Sequence, residues 1–273
     1  MPTDLQVLAD TIRMGTFEAI ANAGGGHFGG SLSETDILTA LYFEELRVDP
    51  KRPDWPDRDR FVLSKGHGGP GLYVTLAERG FFPKEWLTEL DQDGSRLPKH
   101  IDRTKLPGID FSSGPLGQGL SVAVGMALAA RLDGKDLRIY VLIGDGESSE
   151  GQIWEAAMAA SKYRLDNLLA IIDRNFAQVD GTSDTIMPLE PFAAKWNAFG
   201  WNTLSVDGHN IEELLRGFKV AMATKGKPTV IIAKTVKGKG VSFMEGHYEW
   251  HSGSVTKEQI QIGRADLEKR LAK

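Results

Sequence analysis

Asp145 and Asn175 each follow an apolar run, Ile139-Tyr140-Val141-Leu142-Ile143 before the first and residues 168–172 before the second, which ends on Asp173-Arg174-Asn175. Their side-chain oxygens are hard donors of the kind that suit Mg2+ or Ca2+. The turn Gly144-Asp145-Gly146-Glu147 puts glycine backbone beside them, where a phosphate group can approach. The same turn also reads as a plain strand-to-helix connection with a carboxylate cap, and the pattern alone leaves both readings open. Imidazoles and ammonium groups fall on other glycine loops. His27 interrupts the glycines of 24–30, and Lys65 and His67 alternate with Gly66 and Gly68 ahead of a predicted helix over 71–79. That placement suits an anion at a helix N-terminus, although a solvated lysine and a turn histidine explain it more simply. His100 follows Pro98-Lys99, and Lys237, Lys239 and His251 follow the last apolar run. His209, in Asp207-Gly208-His209-Asn210, is accounted for by a turn and a helix cap.

Strands separated by helices must position these groups. Residues 139–143 and 168–172 read as parallel strands joined by a helix over 152–162, entered through Ser148-Ser149-Glu150-Gly151. In a right-handed βαβ unit such strands lie side by side. Asp145 and Asn175 then meet at the carboxyl edge of the sheet, where open α/β folds bind ligands. Further strands are predicted over 61–63, 201–206 and 228–234. Helices are predicted over 4–22, 33–42, 121–131, 191–199, 211–224 (capped by Asn210) and 255–271, with glycine loops over 24–30 and 114–119. The 114–119 run lacks the G-x-G-x-x-G spacing of a dinucleotide site and no clear strand precedes it. Residues 49–60 are a charged, proline-rich surface loop. With no repeat, low-complexity tract or linker, the chain reads as a single α/β domain over 1–273.

Composition narrows the partners. A net charge of −5 gives no basic footprint for nucleic acid or an anionic membrane. The absence of cysteine excludes disulfides and thiolate metal sites and fits a cytoplasmic location. No apolar run approaches the roughly 20 residues of a membrane span. Met1-Pro2-Thr3-Asp4 lacks the basic and apolar regions of a signal peptide.

Five ordered pieces carry a resemblance over almost the whole chain: Gly25-Gly26-His27, Ser64-Lys65-Gly66-His67, Gly114-Pro115-Leu116-Gly117-Gln118-Gly119-Leu120, the run from Gly144-Asp145-Gly146-Glu147 to Asn175, and Lys237-Gly238-Lys239-Gly240 with the later Trp250-His251. Together they resemble the transketolases. The resemblance implies a thiamine diphosphate-binding fold, a mostly parallel sheet flanked by helices on both faces. It implies that Asp145, Asn175 and the Ala177 carbonyl bind Mg2+, with Ca2+ or Mn2+ as substitutes. Lys65, His67, Gly114, Pro115, Leu116, Gly146, Glu147, Asn175 and Lys237 are expected to surround thiamine diphosphate. His27, His100 and His251 are expected to act catalytically on the sugar, as groups that titrate near neutral pH. Glu150 matches a carboxylate at the family's subunit interface.

Two departures stand out: His100-Ile101 replaces the usual His-Pro, and Phe176-Ala177 replaces a glycine or bulky aliphatic pair. The family's second domain, which supplies the glutamate that activates the cofactor and the residues that grip sugar phosphate, has no counterpart in this sequence. The resemblance is thus to the N-terminal subunit of a split transketolase, acting with a C-terminal subunit in an α2β2 assembly and inactive alone. Three alternatives remain: the corresponding subunit of a 2-oxo acid dehydrogenase or decarboxylase, a transketolase for a branched or sulfonated sugar, and a non-catalytic phosphate-binding module.

Overall fold

The computed structural model describes residues 4–272; the reading of residues 1–3 lies outside that range. Asp4 caps α1 (Leu5–Asn22), its Oδ1 accepting from the Gln6 amide at 2.9 Å. The next helices correct the sequence expectation of a glycine loop to residue 30 and one helix over 33–42. Instead α2 spans Phe28–Ser33, α3 spans Thr35–Ala40, and a single π-helical turn covers Leu41–Glu45. Glycines and serines are weak helix formers, so propensity does not make α2; packing does. All its residues are buried, and a Cβ at Gly29 would meet the Lys237 side chain and the Trp250 carbonyl at 2.8 Å.

The remaining elements follow in α/β alternation. They are β1 (Arg60–Leu63), α4 (Gly69–Arg79), α5 (Gln118–Leu132), β2 (Ile139–Gly144), α6 (Gly151–Lys162), β3 (Leu168–Arg174), the short α7 (Ser183–Ile186), α8 (Phe192–Ala198), β4 (Asn202–Asp207), α9 (Ile211–Ala223), β5 (Thr229–Lys234) and α10 (Lys257–Leu271). Asn210 caps α9 through the Glu213 amide at 3.1 Å, as its sequence suggests. The five strands are parallel in the order β1-β2-β3-β5-β4.

β1, β2, β3 and β5 are buried along almost their whole length, which explains their continuous apolar runs. Alternate residues feed two cores. Leu142, Ile171 and Ile231 face α1–α4, α9 and α10, while Val141, Ile172 and Ile232 face α5, α6 and α8. On the first side Arg13 pairs with Asp10 and Asp36. His209 joins them, its Nδ1 2.7 Å from Asp36 and its Nε2 accepting from the Val236 amide at 2.8 Å. One imidazole satisfies both contacts, so His209 is a structural tie. Among the described residues no helix is long and apolar enough to cross a membrane.

Candidate functional site

β2 and β3 run in register with Gly144 opposite Asp173, so the residues just beyond each strand meet at the carboxyl edge. Asp145 is buried there. Its Oδ2 accepts from the Phe176 amide at 2.7 Å, Arg174 Nη1 at 3.0 Å and Ser183 Oγ at 3.2 Å, and its Oδ1 from the Gly146 amide at 2.8 Å. Burial and the neighbouring Asp173 push the Asp145 carboxyl up, against the pull of Arg174. Asn175 is oriented at both ends: Nδ2 donates to Asp173 at 3.2 Å and Oδ1 accepts from the Ala177 amide at 3.2 Å. The Ala177 and Gln178 carbonyls lie 3.4 Å from the Lys237 ammonium.

These groups line one cavity of about 260 Å³ together with His67, Leu116, Gly146, Glu150 and His251. Asp145 Oδ1 and Asn175 Oδ1 each accept one hydrogen bond and keep a lone pair. The Ala177 carbonyl already faces a positive group. A carboxylate, an amide and a carbonyl oxygen make a donor set that fits a hard divalent cation. Gly146 keeps the wall open, since a Cβ there would meet the Gln178 side chain at 2.9 Å. Among the described residues no cluster of three or more His, Cys, Asp or Glu side chains could hold a metal ion; this trio contains a single carboxylate.

Beneath the cavity lies a charge network that sequence reasoning did not reach. Asp173, fully buried, accepts from Lys65 Nζ at 2.7 Å, Ser33 Oγ at 2.6 Å and Thr235 Oγ1. Burial alone would raise its pKa, but Lys65 and these donors hold it below the usual carboxylate range. Lys65 Nζ also donates to the Gly30 carbonyl at 2.7 Å and lies 2.8 Å from Glu34. Its ammonium is therefore occupied within the chain, although the side chain lines the cavity. Glu34 is buried with Oε1 unpartnered, and burial pushes it up to about 8.

Glu147 likewise turns inward. Its Oε1 accepts from the Gly117 amide at 2.8 Å and its Oε2 from the Gly144 amide at 2.9 Å, with Ser64 Oγ as a further donor. It braces the turn; its carboxylate is not free to face a ligand. The signal for the hidden network was available: Asp173 and Arg174 end a strand that is otherwise entirely apolar.

A wall of imidazoles closes one side. The His27 ring lies 5.5 Å from each of His67, His100 and His251, and His67 lies 4.9 Å from His251. His251 Nδ1 is 3.1 Å from Lys237 Nζ. The structure corrects the expectation that His27 and His251 titrate near neutrality. Burial, reinforced by nearby positive groups, lowers His27 to about 4 and His251 to about 3, and moves His67 down as well. At neutral pH these three are uncharged imidazoles, each able to donate one hydrogen bond and accept another. Burial also lowers Lys237, to about 8.

The other expected positions divide. Leu116 lines the cavity, Gly114 lies against His100, and Pro115 is exposed and outside the lining. His27 and His100 stand behind the His67–His251 pair, and His27 opens onto a second recess. Glu150 is exposed at the start of α6 and lines the cavity mouth. Phe176 adopts φ +62°, a left-handed conformation that favours glycine, with the Arg174 guanidinium 4.2 Å over its ring.

The family described as transketolase, thiamine diphosphate binding domain, matches residues 5–269. The chain is 52% identical over 269 residues to the 6-deoxy-6-sulfo-D-fructose transketolase subunit SqwG of Clostridium sp. (strain MSTE9), covering 98% of both chains. It is 46% identical over 269 residues to one of the subunits of apulose-4-phosphate transketolase from Phocaeicola vulgatus, covering 98% of this chain and 95% of that one. Among solved structures, transketolase from Campylobacter jejuni superposes with a TM-score of 0.91 at 34% identity, over 97% of this chain and 42% of that one.

Proposed function

The chain belongs to the transketolase thiamine diphosphate-binding family, and from that premise we propose that it holds the diphosphate end of the cofactor in a two-chain transketolase. The reaction moves a two-carbon ketol unit from a ketose donor to an aldose acceptor. The observation that carries the reading is the convergence of Asp145, Asn175, the Ala177 carbonyl, Lys237 and His67 on one cavity at the carboxyl edge of β2 and β3. Relatives that match this chain over nearly their whole length are named as subunits of transketolases.

Thiamine diphosphate, when bound, supplies the nucleophilic carbon that takes up and releases the two-carbon unit. Asp145, Asn175 and Ala177 would hold a divalent cation, Mg2+ by preference, against its diphosphate. Gly146 would admit the diphosphate to the backbone, and Lys237 would add a positive charge. His27, His100 and His251 bind and orient the hydroxyls of the sugar and move protons at their ring nitrogens. His67, packed beside His27 and His251, would face the cofactor from the cavity wall. Lys65 and Glu147 position these walls from beneath.

The cavity is edged by the exposed apolar side chains Leu116, Val179 and Ile186, and Phe176 stands exposed between the lining residues Asn175 and Ala177. Such a patch beside a charged cavity favours a protein cover, which we take to be a C-terminal transketolase subunit in an α2β2 heterotetramer. That subunit would supply the glutamate needed to activate the cofactor. The cysteine-free sequence supports the cytoplasm as the location. The substrates are sugars bearing an anionic group: the two relatives are named for a sulfo-ketose and a ketose phosphate. A place in pentose phosphate metabolism is one outcome of that reading.

The test is to co-purify the chain with its partner and assay ketol transfer across several ketoses in thiamine diphosphate and Mg2+. Turnover only with both chains present supports the reading. A complex that decarboxylates 2-oxo acids and transfers no ketol unit overturns it. Thermal stabilisation by nucleotides, but not by thiamine diphosphate with Mg2+, would instead favour a phosphate-binding module.

A further inference from the structure

The loops that form the main cavity meet at one carboxylate. Asp173 lies at the carboxyl end of β3, fully buried. It accepts from Ser33 Oγ at the end of α2 (2.6 Å), Lys65 Nζ beyond β1 (2.7 Å), Thr235 Oγ1 beyond β5, and Asn175 Nδ2 (3.2 Å). In three of these segments a cavity residue follows two positions later: His67 after Lys65, Asn175 after Asp173, and Lys237 after Thr235. Asp173 itself does not line the cavity.

Asn175 needs such a neighbour. A primary amide is nearly symmetric in shape, but one end is an oxygen that attracts a cation and the other an NH2 that only donates. Turned end for end, Asn175 would fill the same space and present N–H groups to the cavity. Two contacts forbid the turn. The Asp173 carboxylate, ionised beside Lys65, can only accept, so it holds Nδ2 toward itself. The Ala177 amide can only donate, and it fixes Oδ1 at 3.2 Å. Asp173 cannot swing aside, because Lys65 and Ser33 hold its Oδ2 and Thr235 holds its Oδ1.

We propose that Asp173 is a positioning residue for the cation: it fixes the Asn175 oxygen in one place, and by that rigidity makes the site favour Mg2+ over Ca2+. The inference rests on the thiamine diphosphate reading given above. Mg2+ demands near-ideal octahedral geometry, whereas Ca2+ accepts flexible shells with longer bonds. A ligand locked from behind suits the smaller ion. Loosening it therefore penalises Mg2+ more than Ca2+.

The test titrates Mg2+ and Ca2+ separately into the chelator-stripped two-chain complex with thiamine diphosphate present, following binding by calorimetry. Asp173→Asn keeps the size of the side chain but lets it donate as well as accept, so the Asn175 amide is free to turn. It should raise the Mg2+ dissociation constant about 10- to 100-fold, the usual effect of losing a group that orients a metal ligand. The Ca2+ constant should rise by a smaller factor. Asp173→Asn also takes a charge from beside the buried Lys65, so Thr235→Val is the second variant. It removes one donor from Asp173 and leaves the carboxylate and its ion pair in place, and the same order is expected with a smaller change in each ion. Where Asp173→Asn yields no folded complex, Thr235→Val decides alone. The proposal is overturned if, in the variants that assemble, both ions lose affinity by the same factor or neither loses any. Equal losses would make Asp173 a part of the general framework and nothing more. If the unsubstituted complex binds neither ion in the presence of thiamine diphosphate, the thiamine diphosphate reading itself has failed.

Discussion

The floor and the rim of the main cavity are built on opposite terms. On the floor Asp145, Asp173, Glu147 and Lys65 are buried, and each is bonded to two or more groups of the same chain. On the rim Leu116, Val179 and Ile186 leave apolar side chains exposed around the opening, with Phe176 exposed between Asn175 and Ala177. Buried charge must be paired where it lies, so one chain has to complete the floor by itself. Exposed apolar surface is completed only by something that covers it. On the proposed reading, the contrast means that this chain specifies where a cofactor is held and leaves its activation to a second protein.

The sharpest way to break that contrast is to withhold the cover. The chain alone should show ketol transfer reduced by at least about 10²- to 10⁴-fold, the usual contribution of a missing acid–base group. Steady-state assays with and without the partner measure this directly, and equal rates would mean that the rim needs no cover. Next in size is Asp145→Ala. It leaves Arg174, whose side chain is 2% exposed, with the exposed Glu190 at 3.3 Å as its remaining close partner. The cost should therefore approach but not exceed about 3–5 kcal/mol, that of a fully unpaired buried charge. Urea unfolding should report that loss. Asp145→Asn should retain more of the stability yet abolish the thermal shift produced by thiamine diphosphate with Mg2+. An undiminished shift in the asparagine variant would remove Asp145 from the proposed cation site.

What the sequence discloses follows the same division. Asp145 and Asn175 were legible because parallel buried strands make unbroken apolar runs, and polar residues closing two adjacent runs must share an edge. The strands and most helices appear within a few residues of their predicted bounds for the same reason. The helix over Phe28–Ser33 was not legible, because its glycines serve close approach to Lys237 and Trp250 rather than any local preference. Glu34 looked like part of a helix start, yet it is buried beside Lys65. Pairwise burial of charges distant in sequence leaves no periodic trace. The imidazole wall was legible as residues but not as chemistry, since proximity and burial, which no spacing reveals, set its protonation.

That protonation gives a third test. His27 and His251 fall from 6.5 to about 4 and about 3 on folding. Above about pH 6.5 both are neutral folded or unfolded. As pH falls below that, the unfolded chain takes up protons that the folded chain refuses, so their contribution to stability is lost down to about pH 3–4. Glu34 acts in the opposite sense. Raised from 4.5 to about 8, it contributes stability that is full below 4.5 and lost as pH rises through 8. Urea midpoints between pH 4.5 and 8.5 should therefore fall on both sides of an intermediate maximum. A His27→Asn, His251→Asn double variant should flatten the acid limb and Glu34→Gln the alkaline limb. An acid limb unchanged in the double variant would mean that these imidazoles are not held neutral by the fold.

The smallest effect expected is the most discriminating between floor and rim. Phe176 joins them: its amide donates to Asp145 while its ring is 43% exposed above Arg174. Phe176→Gly removes the left-handed strain, worth about 1–2 kcal/mol. It gives up a cation–π contact of about 0.5–1 kcal/mol and adds about 0.4–1 kcal/mol of unfolded-chain entropy. These terms nearly cancel, so the unfolding free energy of the chain should move by less than about 1 kcal/mol. If the ring serves as cover for the partner, the same substitution should weaken assembly measurably in a titration of one chain with the other. Unchanged assembly with unchanged stability would show the aromatic ring to be neutral on both counts, and would shrink the proposed interface to Leu116, Val179 and Ile186.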